Sequence, residues 1–205
     1  DLHKEYRRQR QMCIRDRFEV ESQINGELVK NSVKISNRSM QNELFLKGYG
    51  EKYEKDFILN SIESLYLSYI KKLKVSRAKK NISFDDLLSN YKKIDNDIFK
   101  KFLIYRDIRN RGYIVKKGFG FGSDFLVYEK GQFGQKGAKY LIFALDEGTQ
   151  EKIGRIQKNI DAITKMGKKP IIAVIERRGE VIYYKISKID FLENKQDSQV
   201  VDFDF

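Results

Sequence analysis

Apolar residues change their period near Gly112. Ahead of it, Phe57, Ile58, Ile62, Leu65, Tyr66, Tyr69, Ile70 and Leu73 recur every three or four positions, predicting an amphipathic helix from Asp56 to about Leu73. Ser83, with Asp86 three residues on, has the form of a cap opening a short second helix. A third helix is expected from about Asp95 or Asp97, carrying Ile98, Phe99, Phe102, Leu103 and Ile108 inward and stopped by Gly112. Phe18 to about Lys47 alternates loosely, with Asn25-Gly26 as a turn signal, which suggests a small β-meander. "KGYGEKYEKD" then reads as a glycine-bearing loop and "VSRAKKN" as a basic connection.

Beyond Gly112 the apolar runs shorten to strand length. Strands are predicted at Tyr113–Lys117, Phe125–Tyr128, Lys139–Ala144, Pro170–Ile175 and Val181–Ile186, with "ERRGEV" as a hairpin turn between the last two. One helix interrupts them, with Ile153, Ile156, Ile160 and Ile163 on a single stripe. The fold class is therefore α/β (α+β) in two lobes. An N-terminal lobe over 18–97 has about three helices and a small sheet; a C-terminal lobe over 98–190 has a mixed sheet and one main packed helix. Residues 191–205 form a tail or an edge strand.

Composition changes the picture mainly by subtraction. The first seventeen residues, "DLHKEYRRQRQMCIRDR", have no apolar periodicity and resemble a sequencing adapter translated in frame, so 1–17 is set apart from the fold; the alternative is a basic arm. That segment holds the only histidine, His3, and the only cysteine, Cys13. From Phe18 onward, thiolate or imidazole metal sites, cysteine nucleophiles and histidine acid–base chemistry are all excluded. The whole chain carries +12; from Phe18 onward 35 Lys/Arg stand against 26 Asp/Glu, still +9. Such an excess favours polyanionic partners. No apolar run approaches a membrane span and no signal peptide is visible, so a cytoplasmic protein is expected.

The glycine-rich run "GFGFGSDFLVYEKGQFGQKGAKYLIF", 118–143, is the most distinctive stretch. A phosphate-binding loop needs a helix N-terminus at its end, but Ser123-Asp124 is followed by a strand. Tight strand-to-strand turns explain its glycines better. A metal-dependent nuclease wants an acidic pair and a Glu-x-Lys on adjacent strands, and the spacing of Asp124 and Glu129-Lys130 does not fit. No cofactor and no metal are expected. Lysine pairs such as Lys79-Lys80, Lys92-Lys93 and Lys116-Lys117 suit phosphates or plain solvent equally.

Three stretches, in order, resemble the archaeal-type tRNA-splicing endonucleases. They are "KGYG" with the helix "LNSIESLYLSYIKKLKV", the junction "YRDIRNRGYIVKKGFGFGSDFLVY", and the closing "KKPIIAVIERRGEVIYYKI". The resemblance spans about Gly26 to Asp190. It implies an α/β N-lobe, a compact nuclease lobe, and two-fold assemblies of two or four chains. It also implies metal-free cutting of precursor tRNA at bulge–helix–bulge junctions. There a ribose 2′-OH attacks the adjacent phosphate, leaving a 2′,3′-cyclic phosphate. A tyrosine serves as base, a histidine as acid, and a lysine steadies the phosphorane charge.

By that resemblance the base falls on Tyr128 and the lysine on Lys168, with Lys169 next in register. The histidine position is Gly137, and Asp161 occupies roughly the place of a base-sandwiching arginine. Lys116, Lys117, Lys136, Lys139 and Lys169 are the candidates for RNA contact; Lys136 or Lys139 is the alternative proton donor, a poor one at an ordinary lysine pKa of about 10.4. The reading this favours is a structural subunit of a heteromeric endonuclease, partnered by a catalytic subunit of the same family or by itself. A divergent enzyme active without the histidine, and a basic RNA-binding module, remain open.

Overall fold

A computed structural model describes residues 23–146 and 159–187. Expectations for 1–17, for Ile153 and Ile156, and for the tail lie outside the described residues.

The N-terminal half builds more sheet than its sequence pattern suggests. Its elements are β1 (Ile24–Val29), β2 (Ser32–Ile35), α1 (Arg38–Leu46), β3 (Glu51–Tyr53), β4 (Asp56–Leu59), α2 (Ser61–Tyr69), β5 (Leu73–Arg77), β6 (Lys80–Ile82) and α3 (Phe84–Lys92). Six strands lie in the order β3-β4-β2-β1-β5-β6, with β1 and β5 parallel and the other pairs antiparallel.

Several expectations are corrected here: the glycine-bearing loop "KGYGEKYEKD", for one, holds β3 and the first residue of β4. The meander ends at Ile35, and Arg38–Leu46 is a helix capped by Asn37, whose side chain accepts from the amides of Ser39 and Met40. The turn lies at Lys30 (φ 53°). Gly26 sits inside β1, where a Cβ would come within 2.4 Å of Val33 Cγ1. The predicted first helix splits: Asp56–Leu59 is a strand burying Phe57 and Leu59, and Asn60 then opens α2 with a full capping box to Glu63. The basic connection becomes the β5–β6 hairpin, turning through Ala78 and Lys79 in the left-handed region. The cap at Ser83 is as expected, its hydroxyl accepting from Asp86 N at 3.1 Å.

The second half follows its sequence pattern closely. After α4 (Ile98–Asn110) come β7 (Ile114–Lys117), β8 (Phe125–Tyr128), β9 (Tyr140–Asp146), a helical segment at 159–165, β10 (Lys169–Ile175) and β11 (Val181–Lys185). The five strands order as β11-β10-β9-β8-β7; only β9 and β10 are parallel, so their connection must cross over a face. Ile160 and Ile163 cover Leu141, Phe143 and Leu145 on that face. α4 covers the other, through Phe102, Tyr105 and Ile108. Phe99, expected inward, is 44% exposed instead.

A single apolar core runs from Leu65 and Tyr66 of the first lobe through α4 to Phe125 and Val127 of the second. Charges are buried at this junction. Glu63 is fully buried; Lys116 Nζ lies 3.4 Å from its carboxylate and donates to Gly50 O at 2.7 Å. Burial holds the Glu63 carboxyl above its usual range, against the opposing pull of Lys116. The Arg109 guanidinium carbon lies over the Tyr49 ring, 3.7 Å from its centroid, and Arg109 donates to Lys47 O at 3.0 Å. Lys116, a candidate RNA contact by sequence, is therefore turned inward as an inter-lobe tie.

Candidate active site

The glycine-rich run first fixes register, and register then places the side chains. Gly118 N donates to Asp124 O at 2.8 Å, and a Cβ at Gly118 would sit 1.9 Å from Ser123 O, so only glycine closes this turn. Asp124 N donates to Ile142 O at 2.9 Å, and its carboxylate accepts from Ala144 N at 2.8 Å. Ser123-Asp124 thus clips β8 onto β9 and opens no helix, as the turn interpretation requires. With Phe125 opposite Ile142 and Val127 opposite Tyr140, Tyr128 falls at the far, open end of β8.

At that end three strands finish level. Lys139 N donates to Val127 O at 2.9 Å, and Lys169 N donates to Lys139 O at 2.8 Å. Tyr128 and Lys168 are therefore two strand spacings apart, about 10 Å between backbones. The Tyr128 ring is half-buried, edge-on to Phe133 with centroids 5.0 Å apart. Residues 129–138 fold back through Gln132 N to Glu129 O (3.0 Å) and Lys136 N to Gln132 O (2.9 Å). This return brings Gly137 to the lysine. Lys168 Nζ donates to Ala138 O at 2.7 Å, and a Cβ built on Gly137 lies 3.9 Å from that nitrogen with nothing closer. Any side chain at 137 would share a site with Lys168.

The remaining candidates divide. Lys136 and Lys169 are exposed beside this site. Lys139 is paired with Glu129, and that hydrogen bond pushes its ammonium above the usual lysine range, away from use as a proton donor. Lys117 is exposed at the other end of β7, where it lines a cleft of about 290 Å³ between the lobes. Asp161 is exposed on the helical segment that precedes Lys168. The Phe133 contact, the Glu129–Lys139 pair and the Asp124 clip were not predicted. All three depend on the fold of the 129–138 return or on strand pairing, neither of which leaves a periodic signal. Among the described residues no group of three His, Cys, Asp or Glu side chains is close enough to hold a metal ion.

Comparison with known proteins gives this strand-end arrangement its setting. Residues 98–183 match the family model of the catalytic C-terminal domain of tRNA intron endonuclease, and residues 24–88 match that of its N-terminal domain. The chain belongs to the tRNA intron endonuclease family. It is 34% identical over 145 residues to the tRNA-splicing endonuclease of Pyrococcus furiosus, covering 71% of this chain and 84% of that one. To the tRNA-splicing endonucleases of Thermococcus onnurineus and Methanococcus vannielii it is 33% and 34% identical, over 73% and 68% of this chain and 87% and 80% of theirs. The match to the catalytic domain of this endonuclease family runs from the start of α4 into β11 and contains Tyr128, Gly137 and Lys168. Among the described residues no helix is long and apolar enough to cross a membrane.

Proposed function

We propose that this chain is a non-catalytic, structural subunit of a heteromeric tRNA-splicing endonuclease, holding a catalytic partner on precursor tRNA at bulge–helix–bulge junctions. The observation that carries this is the pairing of Gly137 with Lys168. By family resemblance position 137 belongs to the general acid, and a Cβ there would lie 3.9 Å from the Lys168 ammonium, yet glycine supplies no side chain. No histidine follows His3 anywhere in the chain. Loss of a general acid typically costs ~10²–10⁴ in rate. The neighbouring Lys139, held by Glu129, is a poor replacement. What remains, Tyr128 and Lys168, keeps the shape of the site without a proton donor for the leaving 5′-oxygen.

Assembly with a relative through the C-terminal strands is supported by β11. It is the outer strand of its sheet among the described residues, and Tyr184 on it is 52% exposed. The test is cleavage of end-labelled bulge–helix–bulge RNA in EDTA, by the chain alone and mixed with a histidine-bearing relative from the same source. Cleavage only in the mixture, with a cyclic-phosphate end, is expected. Cleavage by the chain alone overturns the structural role and favours a divergent enzyme using Tyr128 and Lys168.

A further inference from the structure

The outer face of α4 does not look like a solvated helix face. Ile98, Phe102, Tyr105 and Ile108 are buried beneath it, as an amphipathic helix requires. Yet Phe99 and Leu103, one turn apart on the other side, are also apolar; Phe99 is 44% exposed. Phe99 stacks on Phe102 with centroids 6.2 Å apart at 29°. Phe102 in turn meets Tyr69, from the end of α2, edge-on at 5.6 Å. Tyr69 is itself 48% exposed. The result is a layer of rings with two of its members open to solvent.

Arg106 completes the layer. Its guanidinium carbon lies 5.5 Å from the Tyr69 centroid and 5.8 Å from that of Phe102. No carboxylate among the described residues pairs with it. A groove of about 560 Å³ runs from Tyr69, Leu103 and Arg106 past Asp107 and Arg111 to the β10–β11 turn. Asp107 is spent within the protein: it takes Arg111 Nε at 2.7 Å and the Tyr183 hydroxyl at 2.7 Å. Glu180 is the other acid on the groove, at the end of a turn in which Glu176 and Glu180 offset Arg177 and Arg178. The groove therefore offers one open aromatic ring, Tyr69, and beside it a half-buried guanidinium with no acidic partner, with Phe99 open nearby on α4.

We propose that this groove binds unpaired nucleotides of RNA, one base stacking on Tyr69 beside Arg106 while an adjacent phosphate lies against Arg106. The inference rests on the reading of the chain as an RNA-handling protein. It concerns a surface on α2, α4 and the β10–β11 turn, apart from Tyr128, Gly137 and Lys168. An open aromatic ring with an adjacent guanidinium suits unpaired bases, because every base has a π-face and the backbone brings the negative charge. A protein partner would use the rings but leave Arg106 facing no opposite charge unless it brought an acid of its own.

The probe is a fluorescently labelled oligoadenylate of ten nucleotides, which has no bulge–helix–bulge fold and so separates this inference from the cleavage reading. Anisotropy with the full chain is expected to show salt-sensitive binding. Tyr69→Ala should weaken it by roughly five-fold to a hundred-fold, the range for loss of one stacked base. Tyr69→Phe should retain most of the affinity, and Arg106→Ala should weaken binding and flatten its salt dependence. Ultraviolet crosslinking of the unaltered chain, read by peptide mass spectrometry, guards against misfolded variants and should label the Tyr69 peptide. Crosslinks confined to the strand ends around Tyr128 and Lys168 would overturn the proposal. So would unchanged affinity in Tyr69→Ala, or a variant that keeps its RNA affinity but loses self-association, which would make the groove a protein interface.

Discussion

Two glycines nineteen residues apart do opposite jobs. Gly118 is required by sterics: its missing Cβ would lie 1.9 Å from Ser123 O, a backbone atom that cannot move without undoing the turn. Gly137 has an ordinary φ and open space, with only the tip of Lys168 within 4 Å. Gly118→Ala should therefore lower the melting temperature by several degrees, as a change of about 2 kcal/mol does in a domain of this size. Gly137→Ala should leave it within about 1 °C of the unaltered chain, since Gly→Ala at a compatible backbone position is neutral or slightly stabilising. Thermal scans of the two variants side by side check both statements. Nothing in the sequence of the run separates the two glycines by themselves. Gly137 stands out only through family resemblance, and its nearness to Lys168 only through the fold.

At the scale of elements, legibility followed burial on both sides. β7 to β11 were readable because each is a short apolar run ended by turn residues, and the core buries them as such. The segment 56–73 misled because Phe57 and Ile58 of a strand happen to continue the spacing of Ile62 and Leu65 on a helix. The deciding residue is Asn60, whose side chain accepts from the amides of Ile62 (3.0 Å) and Glu63 (2.9 Å) while Glu63 answers to Asn60 N at 3.1 Å. Asn60→Ala should cost about 1 kcal/mol, or some 2–4 °C in melting temperature. Helix α1 was invisible for another reason: only Leu44 on it is buried, so its apolar residues carry no stripe. The lysine assignments failed to separate for the same kind of cause. Lys116 and Lys117 are neighbours in sequence, but strand alternation sends one into the lobe junction and the other to solvent.

Across the whole molecule, the Glu63–Lys116 pair ties the lobes. Lys116→Met leaves a buried carboxylate without its cation, and breaking a buried pair in this way costs on the order of 3 kcal/mol. The pH dependence has a definite sign. Glu63 holds its proton to higher pH in the folded chain than in the unfolded one, because burial raises its pKa. Between the unfolded and folded values the folded state binds more protons, so stability rises as pH falls through that window. Without Lys116 the window widens upward, and Lys116→Met should regain stability from pH 7 to pH 5 more than the unaltered chain does. Urea midpoints at both pH values measure it; an equal or opposite change in the variant would mean that Lys116 does not govern the Glu63 charge.

The central claim, that the strand-end site lacks its general acid at Gly137, is tested most directly by Gly137→His. The measurement is single-turnover cleavage of end-labelled bulge–helix–bulge RNA in EDTA by the unaltered chain and by the variant. The account predicts no cut by the former. For the latter it predicts junction-specific cleavage with a cyclic-phosphate end and a gain of ~10²–10⁴ over the unaltered background. Cleavage by the unaltered chain at the same rate as Gly137→His would contradict it, because the vacancy beside Lys168 would then have no bearing on the chemistry.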